Sequence, residues 1–140
     1  MKPTTSTITV RAYEQEDFET ITKWAKARQV MVFEEMLPRM GGMAYDEESG
    51  DLLACAWLYM DNSVGVAFPH WLLANPANDM ATSRDAISLL GEWLEYMAED
   101  LNYNCFVTFF GPGAMTAEAE KNGYSVIGRG QNLCMKLLRK

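Results

Sequence analysis

The fold turns on one continuous stretch: Val64-Gly-Val-Ala-Phe-Pro-His-Trp-Leu-Leu-Ala-Asn-Pro76, then Ala77-Asn-Asp-Met-Ala-Thr-Ser83, then Arg84 to Leu101. The first segment is an apolar run bounded by turn residues and predicts a strand. Pro69 inside it predicts an edge or a bulge there, because proline cannot donate to a ladder. The last segment carries Ala86, Ile87, Leu90, Leu94, Met97 and Leu101 at spacings of three and four, with Asp85, Ser88, Glu92, Glu95 and Glu99 on the other face. That period predicts an amphipathic helix from about Ser83 to Leu101, capped by Thr82 or Ser83. A strand running into a helix N-terminus presents free N–H groups and a positive dipole end, which suits an anionic ligand. The loop between them nevertheless holds no glycine and no basic residue.

Downstream, Cys105 to Phe110 is a continuous apolar run, as expected of a strand buried on both sides. Strand, helix and strand in that order imply a right-handed crossover and locally parallel strands. Met115 to Asn122 reads as a helix, with Gly123 in the left-handed position after it. Tyr124 to Ile127 and Leu133 to Leu138 read as closing strands around Gly128-Arg-Gly130. Upstream, Thr7 to Ala12 alternates and predicts a half-buried strand. Asp17 opens a helix to about Arg28, with Phe18, Ile21, Trp24 and Ala25 on one face. Gln29 to Met40 predicts a short helix or an ordered loop that ends at Leu37-Pro38. Gly42 to Tyr45 and Leu52 to Met60 flank the turn cluster Asp46 to Asp51 and predict a hairpin, and Asp61-Asn-Ser63 is a second turn. The whole predicts one α/β domain over residues 1–140, a mixed sheet of about seven mostly antiparallel strands with helices on both faces.

A chain of 140 residues is long enough to bury a real core. Its formal charge of −7 argues against general nucleic-acid binding, which needs clustered cations, and is compatible with a cationic substrate such as an amine. Cys55, Cys105 and Cys134 are far apart, odd in number and set in apolar runs, so buried reduced thiols are expected rather than disulfides. One histidine and no CxxC leave no basis for a metal site. The N-terminus, Met1-Lys-Pro-Thr-Thr-Ser-Thr, lacks the apolar core of a signal peptide, and no run approaches the roughly 20 apolar residues of a membrane span. A soluble, cytoplasmic protein that does not engage membranes is the expectation.

This order of elements resembles the GCN5-related N-acetyltransferase (GNAT) family over nearly the whole chain. Ile8-Thr-Val-Arg-Ala12 with Glu14 to Asp17 looks like the family's first strand and helix. The acidic hairpin Asp46 to Asp51 sits where its second and third strands join, and Leu72-Leu-Ala-Asn-Pro76 looks like its fourth strand and the proline after it. Ala117-Glu-Ala-Glu-Lys-Asn-Gly-Tyr124 looks like its late helix, and Gly128 to Leu138 suits its last strand pair. The resemblance implies acetyl-CoA as cosubstrate, lying where the fourth and fifth strands splay apart, with its pantetheine arm on the backbone of Leu72, Leu73 and Ala74. It implies a diphosphate on the following loop, here Met80, Ala81, Thr82, Ser83 and Arg84, and an arm facing Gly111 and Gly113. Two features depart from the family. Its R/Q-x-x-G-x-G/A loop is degenerate here, with Asp79 about where the basic residue stands and Met80, Thr82 and Arg84 about where glycines stand. Ala119 occupies the position of the tyrosine that many members use to protonate the departing thiolate, so no tyrosine is carried over as general acid.

Acyl transfer to an amine needs a base, a polarised carbonyl and a thiolate that leaves. His70 is the candidate base, because imidazole titrates near neutral pH and lies on the fourth strand; the alternative is a structural histidine. Asp61 or Glu34 acting through water is a further option. Trp57, Tyr59 and Trp71 either line a substrate pocket or pack the core. Met31, Met36, Met40 and Met43 flank an early loop and either form an apolar lid or fill gaps. Cysteines in buried-looking contexts give no reason for an acyl-enzyme, so direct attack in a ternary complex is expected. The function so implied is acetyl-CoA-dependent transfer of an acyl group to a small-molecule or protein amine, with a second copy of the chain as partner, since the family commonly dimerises. The alternative is a non-catalytic GNAT-like binding or interaction protein.

Overall fold

The computed structural model describes residues 7–108, 114–128 and 136, in two compact units, Met1–Thr108 and Phe109–Lys140. The first unit is built on five strands in the order β1-β2-β3-β4-β5: β1 (Ile8–Ala12), β2 (Gly41–Asp46), β3 (Leu52–Met60), β4 (Val66–Ala74) and β5 (Cys105–Phe106). The first four pair antiparallel, and β5, reached through helix α2 (Met80–Asp100), pairs parallel to β4. The antiparallel meander and the parallel crossover are as the sequence predicts. The strand count is lower than the seven expected, because the segments read as closing strands contribute no pairing among the described residues.

Alternation along β3 separates two cores. Ala54, Ala56 and Leu58 face Ala86, Leu90, Leu94 and Ala98 of α2, together with Ala44, Ala67 and Ala74. The many alanines let α2 lie close to the sheet, and each buried leucine contributes about 1.5–3 kcal/mol. Cys55 and Trp57 point the other way, against Ile21, Trp24 and Ala25 of α1 (Phe18–Ala27), with Met43 and Leu73. Helices therefore cover both faces. Arg11 fixes the turn from β1 into α1: its guanidinium donates to both oxygens of Asp17 at 2.7 and 2.8 Å, and the Glu14 N–H donates to the same carboxylate. Burial pushes the Asp17 carboxyl up, but these donors and the Arg11 charge outweigh it and hold it below its ordinary value.

Several boundaries differ from the sequence expectation. Helix α2 begins at Met80, three residues early, because Asp79 rather than Thr82 or Ser83 is its cap. Gln29 to Met40 holds only a 3-10 turn at Glu34–Met36, since α1 ends in a left-handed Gln29 (φ 59°) and Pro38 follows. Cys105 is exposed, unlike the buried Cys55: β5 is the last strand of the described sheet and has a neighbour on one side alone. In the second unit, α3 (Ala114–Lys121) ends as expected on a left-handed Gly123 (φ 92°), with Tyr124 N–H bonded to Ala119 C=O. Tyr124 to Ile127 keeps an alternation of half-buried and exposed residues but joins no strand among the described residues. The expected strand Leu133 to Leu138, apart from Lys136, as well as Phe109, Phe110 and Cys134, lie outside the described residues. No described helix is long and apolar enough to cross a membrane, and no described cluster of His, Cys, Asp and Glu could hold a metal.

Gly41 shows how tightly the α1 side is packed. A Cβ there would clash with Nε1 of Trp57, whose indole is fully buried. Gly41→Ala is expected to lower stability by about 1–3 kcal/mol, measured by urea unfolding. A loss below experimental error would show that the indole can shift freely.

Candidate active site

The site is built on β4, and its backbone phase can be read from hydrogen bonds. Gly65 and Ala67 accept from Cys105 and Val107 on the β5 side, while Val66 accepts from Asp61 on the β3 side. In an extended strand both polar groups of a residue point the same way and alternate along the chain. Pro69 therefore falls where the next N–H toward β5 would be, and it has none to offer. The ladder with β5 covers Val66 and Ala67 alone among the described residues, while pairing with β3 continues to Ala74.

Two residues beyond Pro69 the strand bulges. His70 lies opposite Trp57 and Leu73 opposite Cys55, so Trp71 and Leu72 together face Ala56. Trp71 adopts φ 56°, a left-handed conformation that costs a bulky residue on the order of 1–3 kcal/mol. The bulge reverses the phase: Asn75 N–H now donates to Leu53 C=O of β3. Leu72 and Ala74 consequently turn their N–H and C=O groups to the β5 side, where no strand pairs with them among the described residues, and Leu73 turns toward β3. The three residues grouped by the sequence as one binding segment thus divide, with Leu73 buried in the core beside α1.

The bulge also collects side chains. Phe68 stacks on Tyr59 at 5.3 Å, His70 meets Tyr59 edge-on at 5.9 Å, and Trp71 meets His70 at 4.8 Å. His70 is half-buried, and burial holds its imidazole below its ordinary value. Among the described residues no group hydrogen-bonds its ring. Trp71 Nε1 donates to the Tyr59 hydroxyl at 2.7 Å, and that hydroxyl donates to Met36 C=O at 2.6 Å. Trp57 is fully buried core, whereas Tyr59 and Trp71 are half-buried. Met31 is 70% exposed, while Met43 is fully buried and packs the core. Asp61 is exposed in the β3–β4 turn, where its carboxylate accepts from Ser63 and Val64. Glu34 is exposed and accepts from Gln15. Burial pushes the Cys55 thiol up to about 12.

The loop after β4 is fixed by asparagines, which its sequence did not single out. Asn75 Nδ2 donates to Leu52 C=O and Asn78 Nδ2 to Leu53 C=O, while Asn75 Oδ1 accepts from Ala77 N–H. Asparagine is a common residue for bonding nearby backbone in a turn, and that preference was the available signal. Asn78 also reaches Ser83 Oγ at 3.2 Å. Asp79 Oδ1 then accepts from Thr82 N–H at 2.7 Å. The protein thus sets its own carboxylate on the positive end of α2. Met80, 80% exposed, and Ala81 carry the first N–H groups of the helix, and Arg84 is an exposed cation just past its first turn. A second cation comes from an unexpected element: Arg28, just after α1, reaches Ala74 C=O at 3.4 Å. Gly111 and Gly113 lie outside the described residues.

No family profile and no curated protein sequence matches the chain. Solved structures do. A spermidine N-acetyltransferase mutant from Vibrio cholerae superposes with a TM-score of 0.70 at 17% identity, over 88% of this chain and 82% of that one. An acetyltransferase from Trypanosoma brucei gives 0.66 at 12% identity, over 91% and 99%. N-acetylglutamate synthase from Neisseria gonorrhoeae, complexed with coenzyme A and L-arginine, gives 0.64 at 12% identity; it covers 86% of this chain, which spans only 28% of that one. The fold is that of the GCN5-related N-acetyltransferases.

Asp79 makes a specific prediction. Asp79→Ala should destabilise the chain by about 1 kcal/mol through loss of the cap, and Asp79→Asn should leave it nearly unchanged, because both side chains cap well. Thermal unfolding of the two variants checks this; equal losses would mean that charge, not capping, is what Asp79 supplies.

Proposed function

We propose that the chain transfers an acyl group from a coenzyme A thioester, with acetyl-CoA as the expected donor, to an amine. The observation that carries this function is the edge of β4 beyond Ala67, which no strand covers among the described residues. Leu72 offers its N–H and C=O there and Ala74 its N–H, at the spacing of a strand, while the Ala74 C=O already accepts from Arg28; this suits the amide groups of a pantetheine arm, much as a neighbouring strand would bond. The fold supports the same conclusion, since it is shared with acetyltransferases, one of them complexed with coenzyme A.

His70 is the proposed base. It lies on β4 at the start of the bulge, its ring is unbonded among the described residues, and burial keeps it neutral at pH 7, ready to take a proton from an ammonium. Cys55, the cysteine that lies against the bulge, is buried and its thiol stays protonated at any working pH, so it offers no acyl-enzyme nucleophile there, which supports direct attack by the amine. When bound, the thioester supplies the activated acyl group; the chain's part is to hold the donor, accept the amine proton and keep the reacting groups together.

The diphosphate of coenzyme A fits less well than its arm. Asp79 already occupies the Thr82 N–H, and a carboxylate near a diphosphate is unfavourable by about 1 kcal/mol at a partly screened site. Met80 and Ala81 N–H groups, with Arg84 and Arg28 at the two ends of the loop, are the donors left to it. The Asp79 cap is the specific observation that favours the second function, a GNAT-like fold that binds or interacts without catalysis.

Calorimetry with acetyl-CoA separates the two. Micromolar binding that weakens in Arg84→Glu and tightens by roughly fivefold in Asp79→Asn supports the enzyme. No binding at millimolar ligand would leave the second function. In an active chain, kcat/KM should rise with pH through an acid limb whose midpoint lies below 6.5, the ordinary value for histidine. His70→Gln should lower turnover by about 100-fold or more and remove that limb. An unaltered pH profile in His70→Gln would exclude His70 as the base.

A further inference from the structure

We propose that Tyr59 is a positioning residue that locks the β4 bulge and the Glu34–Met36 turn together, so that the donor edge and the loop after α1 are set by one hydroxyl. Its functional consequence rests on the acyl-transfer reading; the coupling itself does not.

The geometry is a three-member chain. The Trp71 indole N–H can only donate, and the Met36 carbonyl can only accept. A phenol hydroxyl between them does both at once, at 2.7 and 2.6 Å. Each bond polarises the other, so the pair holds more firmly than either alone. Burial raises the Tyr59 hydroxyl above its ordinary value, which keeps its proton in place at neutral pH.

Each end of this chain needs an external hold. Trp71 sits at φ 56°, and such a residue persists only where its surroundings over-determine it. The indole–phenol bond, the His70 ring and the Cys55 thiol facing the Trp71 carbonyl at 3.8 Å are those surroundings. At the other end, the Glu34–Met36 turn has three residues and no buried side chain of its own. It is held to β3 through Met36 C=O and to the α1 side through Gln15 and Glu34. Release of the hydroxyl therefore frees a turn at one end and a strained bulge at the other. The bulge fixes which backbone groups of Leu72 and Ala74 face the open edge, so slack in the turn reaches the donor edge through Tyr59.

The test is amide hydrogen exchange on Tyr59→Phe and Trp71→Phe, compared with the wild-type chain. The informative amides are Met36 and Leu37, bonded to Phe33 and Glu34, and Asn75, bonded to Leu53. Tyr59→Phe should speed exchange at both places by roughly fivefold or more. Trp71→Phe, which leaves the Tyr59–Met36 pair in place, should also speed Met36 and Leu37. Acceleration confined to β4 in Trp71→Phe overturns the coupling, as does unchanged exchange at either place in Tyr59→Phe. Should Tyr59→Phe fail to fold, the Trp71→Phe result decides alone. Where the wild-type chain acetylates an amine, both variants should raise KM for the amine and for acetyl-CoA together, and a change in one alone overturns the coupling. A wild-type chain that transfers no acyl group removes the proposed function and leaves the exchange result to decide.

Discussion

One left-handed residue sets the phase of the second half of β4. Without the turn of Trp71, Leu72 and Ala74 would fall in the opposite register from the one seen. With it, Leu73 joins the core beside α1 and its two neighbours face an edge that no described strand covers. Pro69 prepares that edge by withholding the donor that β5 would need. The two features act in sequence, two residues apart: one withholds a ladder donor, the other rotates the backbone that follows. The two cores, the alanine-rich face against α2 and the indole-rich face against α1, keep the strand rigid while it carries this defect.

The loop that follows sharpens the chemistry. A helix N-terminus after a strand attracts anions, but here Asp79 caps its own helix. The loop contains no glycine and is fixed instead by side-chain bonds from Asn75 and Asn78 to β3. The balance at this end of β4 is therefore electrostatic. One carboxylate would oppose the proposed diphosphate, while Arg84 and Arg28 would favour it, in a chain whose formal charge is −7. Under the proposed acyl transfer, affinity for the donor would fall mainly to the edge of β4, with the loop as a weak contributor.

Much of the fold was legible from periodicity. The meander, α1 and α2 follow from alternation and from spacings of three and four, and Gly123 from its place after a helix. The cap was misread because Thr82 and Ser83 are good cap residues by type, while the choice among them and Asp79 depends on where the loop's asparagines bond. The bulge was signalled by Pro69 but falls at Trp71, and no local preference predicts a left-handed tryptophan; tertiary bonds to Tyr59 and Cys55 hold it there. Arg28 was invisible for the same reason, since it meets Ala74 across 46 positions of sequence. Cys105 was read as buried because an apolar run does not reveal that its strand lies at the margin of the described sheet.

The central claim is that the backbone of Leu72 and Ala74 is the donor-binding edge. It is tested most directly by following amide resonances during a titration with coenzyme A. The account predicts that the Leu72 and Ala74 amides shift and become protected at saturation, while the Leu73 amide, turned toward β3, stays nearly constant. Binding that leaves Leu72 and Ala74 unmoved, or that perturbs all three equally, would contradict it.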